Sequence, residues 1–158
     1  MSQLATIYQA IADRTIGFAL DGEIYNVPGL ALSDLPDAVD SHRFPVRLII
    51  PTGGRGAGQT QGLRTFRQGT QGGVIVVDWT VHDMLFWRGA DAGVGLADIA
   101  PVLALYMSAY LGDLGSLRTA TWSVTQISFP AIGGFEWPAE SGRAYEGVIA
   151  QLTIREII

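Results

Sequence analysis

Neither cysteine nor lysine occurs among the 158 residues. The first absence removes disulfide frameworks, thiolate metal sites and cysteine nucleophiles from consideration. The second leaves all ten basic residues as arginine, so Schiff-base chemistry, an amine nucleophile and the lysine contact of a nucleotide-binding P-loop are excluded too. No apolar run reaches the roughly 18 residues of a membrane span. The opening MSQLATIYQAIADR lacks the basic start and cleavage site of a secretory signal. A cytoplasmic origin with no membrane partner is therefore expected. Acid is also missing locally. Between Asp40 and Asp78 there is no Asp or Glu, while Arg43, Arg47, Arg55, Arg64 and Arg67 all fall in that window. In a chain of formal net charge −5 this predicts a polarised surface with one basic segment.

With 48% hydrophobic residues the chain can fill one sizeable core, so residues 1–158 are expected to form a single domain without internal repeats. Ser2 is placed to cap a first helix reaching about Arg14, since Leu4, Ile7, Tyr8 and Ile11 recur at helical spacing. Residues 17–45 carry three prolines and allow short extended pieces such as GEIYNV, but no long element. FPVRLIIP reads as a strand bounded by prolines. GVIVVDWTVHDMLFWR reads as a long strand with Ile75, Val77, Trp79, Val81, Leu85 and Trp87 on one face and Asp78, Thr80 and His82 on the other. A second helix is expected over about residues 97–112, capped by Asp98, with Pro101 in its first turn and Gly112 as its stop. LRTATWSVTQISF and RAYEGVIAQLTIREI read as two final long strands joined by the loop PAIGGFEWPAESG. The predicted class is α+β: an antiparallel or mixed sheet of about four long strands packed by two helices.

Between the first two long strands, residues 52–73 read TGGRGAGQTQGLRTFRQGTQGG and hold eight of the twenty glycines. The stretch shows neither helical nor strand periodicity, and inter-strand loops of this length are usually functional or disordered. Gly53 and Gly58–Gln59–Thr60 imitate P-loop spacing, but Gln59 stands where lysine belongs and the following residues are too glycine-rich for the required helix. Nucleotide hydrolysis is not expected. A connecting loop is one reading. An interaction arm, with Arg55, Arg64 and Arg67 as charged contacts and Phe66 as the lone aromatic, is the sharper one.

Catalytic signals are weak. His82 and Asp83 are strand neighbours and point to opposite faces, and Asp78 and His82 stand roughly 13 Å apart along the strand. No serine sits in a G-x-S-x-G elbow, and nothing sets Glu136 and Glu140 across a cleft. The chain is read as a non-enzyme with no cofactor and no metal. Trp79, Trp87 and Trp122 belong to strands. Trp137, in a loop, reads as an interface aromatic, with Tyr145 acting beside it.

The layout resembles the tail terminator proteins of long-tailed bacteriophages. The pieces that carry the likeness are the amphipathic first helix, FPVRLIIP, the loop, the long strand, ADIAPVLALYMSAYLG, and two closing strands ending YEGVIAQLTIREII. The resemblance implies a structural virion protein of the neck, assembled in the host cytoplasm. It would form a ring, six-membered in that family, that ends polymerisation of the tail tube and offers the surface for head attachment. Its implied partners are copies of itself, the tail tube protein and a head–tail connector protein, with DNA passing through the lumen without sequence-specific binding. On that reading the loop from Gly53 to Gly73 clasps a neighbour or faces the lumen. Other neck or tail-tube proteins share related folds, and a non-phage binding domain using the basic loop for nucleic acid or an acidic ligand is the alternative from another class.

Overall fold

The computed structural model describes residues 3–30, 39, 43–51, 64–68, 75–90, 96–138 and 140–158. In chain order these form α1 (Leu4–Ala12), β1 (Ile16–Leu20), β2 (Glu23–Val27), β3 (Gly29–Leu30), β4 (Val46–Pro51), β5 (Arg64–Gln68), β6 (Ile75–Gly89), a short 3-10 turn (Leu96–Asp98), α2 (Ala100–Leu114), β7 (Trp122–Glu136) and β8 (Ala144–Ile157). The α+β class holds, with a mixed and mostly antiparallel main sheet.

The main sheet runs β3-β4-β6-β8-β7, and β5 also pairs with β6. Strand β6 is its spine. One edge holds β4 along Val81–Phe86 and β5 along Ile75–Trp79, and the other edge holds β8 over its full length. Its period-two pattern delivers Val77, Trp79, Val81 and Leu85 to the face covered by both helices, where they meet Ile7, Ile11, Leu103 and Tyr110. A smaller cluster on the opposite face gathers Leu48, Met84, Phe86, Trp137 and Tyr145. Fully burying side chains such as Ile7 and Ile11 contributes about 1.5–3 kcal/mol each relative to exposure.

Several boundaries differ from expectation. Ser2 lies outside the described residues, and the residue preceding α1 is Gln3, which makes no side-chain cap. Helix α2 starts after Ile99 and runs past Gly112 to Leu114, with Gly115 closing it, because apolar Leu114 is buried and extends the packed stripe by one turn. Pro101 does sit at the start of the helix. The short extended pieces expected after α1 are present, GEIYNV supplying β2, and residues 16–27 pair them into a hairpin. Asp21 (φ 51°) and Gly22 (φ +81°) make its two-residue turn, the Asp-Gly pairing whose backbone twist suits tight hairpins. Strand β7 does not stop at Phe129. It continues through Pro130 to Glu136 because it is the outermost strand, where a missing N–H costs no ladder bond, and a register shift between Ser128 and Ala131 absorbs the proline. Within residues 52–73, Arg64–Gln68 is a strand paired to β6, which corrects the expectation of no regular structure there. The rest of that loop is outside the described residues.

The first helix is held at both ends by charges borrowed from the sheet. Its own sequence has no acid in the first turn and no base in the last. At the N-terminal end, Glu156 of β8, 1% exposed, accepts the Gln3 backbone N–H at 2.6 Å and the Trp79 indole N–H at 2.7 Å. At the C-terminal end, Arg47 of β4 donates through Nη2 to the Ile11 carbonyl at 3.1 Å and through Nη1 to the Arg14 carbonyl. A carboxylate at the N-terminus and a guanidinium at the C-terminus satisfy orphan backbone groups and match the helix dipole.

Arg47 is wholly buried, so it is not part of the basic surface that its place in the acid-free window suggested. Asp83 meets it from the apolar face of β6, with the guanidinium Nε 3.1 and 3.0 Å from the two carboxylate oxygens and Nη2 2.6 Å from Oδ2. The Tyr110 hydroxyl of α2 donates to the same Oδ2 at 2.8 Å. One ion pair thus joins β4, β6, α1 and α2. Burial alone lowers the pKa of the guanidinium, but the Asp83 charge and hydrogen bonds outweigh it, and the net displacement is upward. Arg47 therefore stays charged.

Candidate interaction surface

The residues singled out in the sequence do not converge on one patch. Arg55 lies outside the described residues. Arg64, Phe66 and Arg67 lie on β5, in register with Trp79, Val77 and Val76 of β6. The helix that a P-loop needs after its glycine turn would fall on this stretch, which is strand instead.

Trp137 and Tyr145 are core residues, 7% and 6% exposed, and the expectation of a surface aromatic loop is corrected. The connection between β7 and β8 is tight. Trp137 N–H donates to the Arg143 carbonyl at 3.0 Å, and the Gly142 N–H donates to Glu136 Oε1 at 2.6 Å. That turn folds Trp137 back over the sheet. Phe86 then receives Phe135, Trp137 and Tyr145 edge-on, at centroid distances of 5.2, 6.4 and 5.0 Å. The signal was present in the spacing, since Phe135 and Trp137 continue the alternation of a strand.

The polar side chains of β6 and β8 pair across the sheet face opposite the helices. Asp78 bonds Arg155, with Oδ1 2.9 Å from Nε, and His82 Nε2 stands 3.3 Å from Gln151 Oε1. Asp83 lies on the other face, as strand alternation requires, so His82 and Asp83 do not bond each other. Arg88 pairs with Glu146 where β6 shifts register against β8. Among the described residues, no group of three His, Asp or Glu side chains is placed to hold a metal ion. Glu136 is engaged by the Gly142 N–H, and Glu140 occupies a positive-φ turn position (64°).

What the surface does offer is two contrasting shapes. The first is a groove between the C-terminal end of α2 and the outer edge of β7. It consists of adjoining hollows of about 460 and 200 Å³ that share Gly115 and Val124, with Arg118 on one wall and Leu111 on another. Strand β7 carries no charged residue from Ser123 to Phe135, although charged side chains are a usual means of protecting a sheet edge. Leu111 in the groove and Ile132 farther along β7 are about half exposed, at 46% and 49%. The second shape is the β1–β2 hairpin, a separate two-stranded sheet. Its inner face is anchored by Phe18 and Tyr25, which stack at 5.2 Å, with Tyr25 against Trp87 at 5.1 Å and Phe18 against Tyr106 at 6.3 Å. Its outer face is Gly17, Ala19, Ile24 and Asn26, all exposed, and Ile24 projects with 73% of its surface free.

No family model, no curated protein and no solved structure matches the chain. The reading of function therefore rests on the residues and their arrangement. No helix among the described residues is long and apolar enough to cross a membrane.

Proposed function

We propose that this chain is a structural subunit of a phage neck: a tail terminator whose copies close into a ring, six-membered by the family resemblance, on the head-proximal end of the tail tube. The observation that supports it is the layout. An N-terminal helix, a long central strand, a crossing helix and a closing hairpin of two long strands follow one another in the order that the resemblance calls for. The buried charged side chains Arg47, Asp83 and Glu156 are engaged in holding elements together: Arg47 with Asp83, and Glu156 with Trp79 and Gln3. Ring closure needs a heterologous contact between two different patches of one subunit. A groove beside an uncharged edge and a projecting hairpin are two such patches. The partners on this reading are other copies, the tail tube protein below and a connector above, with DNA crossing the lumen.

The test is to let the tail-tube protein of the same phage polymerise in the presence of the purified chain. Tubes that stop lengthening and carry a cap at one end support the reading. Tubes of undiminished length with no added density at either end contradict it.

A further inference from the structure

We infer that the β1–β2 hairpin of one copy seats in the α2–β7 groove of the next, with Ile24 as its anchor. The proposal rests on the ring reading above and names the contact that would close the ring. Three observations carry it. Ile24 has the largest exposed fraction of the exposed large hydrophobic residues, and its neighbours on that face, Gly17, Ala19 and Asn26, are small or short, so it stands clear as a knob. The hairpin beneath it is fixed by ring contacts to Trp87 and Tyr106, so the knob is preorganised and little ordering entropy is lost on docking. The groove sets Leu111, Val124 and Ile127 beside polar Ser116, Ser123 and Gln126, so it offers both apolar contact and hydrogen-bonding groups to an incoming knob.

Charge complementarity selects the occupant. The hairpin tip carries Asp21 and Glu23 and no base. The groove wall carries Arg118, which is exposed and has no ion-pair partner among the described residues, whereas nearby Asp113 is paired with Arg14 at 3.3 Å. An acidic tip with an apolar knob fits a basic wall beside the apolar side chains of the groove, Leu111, Val124 and Ile127. The exposed ion pair adds little affinity by itself but fixes register and disfavours other partners. Because knob and groove are different surfaces of the same chain, the contact is head-to-tail and propagates until the rotation closes.

The absence of cysteine makes the test free of background. Ile24→Cys and Ser116→Cys are introduced singly and together, both at exposed positions, and folding is checked by circular dichroism. The proteins are then oxidised at high concentration, while negative-stain images of the unmodified chain report rings independently. The expected result is a ladder of dimers, trimers and larger species with the double variant only, weakened by adding Arg118→Glu and restored by Glu23→Arg in the same chain. No ladder from the folded double variant overturns the contact. If rings are nonetheless imaged, the ring reading stands with another interface; if none are seen, both fall. Dimers from Ile24→Cys alone would also overturn it, because they mark a symmetric contact.

Discussion

Arg47 and Asp83 meet with both side chains wholly removed from solvent, Nη2 of one 2.6 Å from Oδ2 of the other. Two charges without access to water are tolerable only because polar groups are aimed at both: the carbonyls of Ile11 in α1 and of Arg14 just beyond it at the guanidinium, and the Tyr110 hydroxyl at the carboxylate. Removing one partner should therefore cost more than removing both. Asp83→Ala is expected to destabilise the fold by about 3–5 kcal/mol, while a double replacement by apolar residues of similar volume is expected to be near neutral. Urea denaturation of the single and double variants measures this. Equal losses in both would mean that the pair is not the junction described.

Glu156 does at the N-terminal end of α1 what Arg47 does at the other. Glu156→Gln keeps the shape but weakens two charge-assisted hydrogen bonds, to the Gln3 N–H and the Trp79 indole. The expected loss is about 1–3 kcal/mol. Faster hydrogen exchange should appear first in α1. Uniform exchange across the domain would argue that the helix end is not held there.

Gly147 of β8 stands opposite Phe86 of β6. A Cβ built at that position would stand 1.8 Å from the Leu85 carbonyl oxygen, beside the register shift between Phe86 and Arg88. Backbone cannot yield as a flexible side chain can. Gly147→Ala should cost at least about 1–3 kcal/mol, read as a lowered unfolding midpoint. Unchanged stability would mean that the two strands can separate there.

Three tyrosines predict how stability depends on pH. Burial pushes Tyr8 up to about 12, and burial followed by the Asp83 charge holds Tyr106 and Tyr110 well above the ordinary value of 10. In each case the folded state binds the phenolic proton more tightly than the unfolded chain does. Their contribution is fully present below about pH 10 and is lost as pH climbs from there toward the folded values. Denaturation from pH 8 to 12 should show stability falling above about 10. Phenolate absorbance from these residues should rise only with unfolding. Ionisation near pH 10 with the fold intact would contradict their burial.

Legibility in the sequence followed the strength of the periodic signal. The long strands β6 and β8 and both helices could be read because apolar residues recur at two or at three and four over many residues, as in Val148, Ala150, Leu152 and Ile154. GEIYNV could be read as extended, but its pairing with β1 was missed although Asp21–Gly22 announces it, because the strands are only five residues each and the outer face is Gly17, Ala19 and Ile24 rather than plainly polar. Pro130 masked the second half of β7, since proline reads as a stop unless the strand is known to be at an edge. Most instructive is Arg47. A charge in an acid-free stretch reads as surface, and only the pairing of β4 with β6, thirty-six residues later in the chain, brings Asp83 to meet it. For the same reason Trp137 read as an interface: local sequence does not say that the turn at Gly142 folds it onto Phe86.

The most direct test of the whole account is electron microscopy of the negatively stained protein across a concentration series. The account predicts closed rings with a central hole, six-fold by the family resemblance, whose population grows with concentration and is lost with Ile24→Asp. A population that stays monomeric at every concentration, or that forms symmetric dimers and nothing larger, would contradict it.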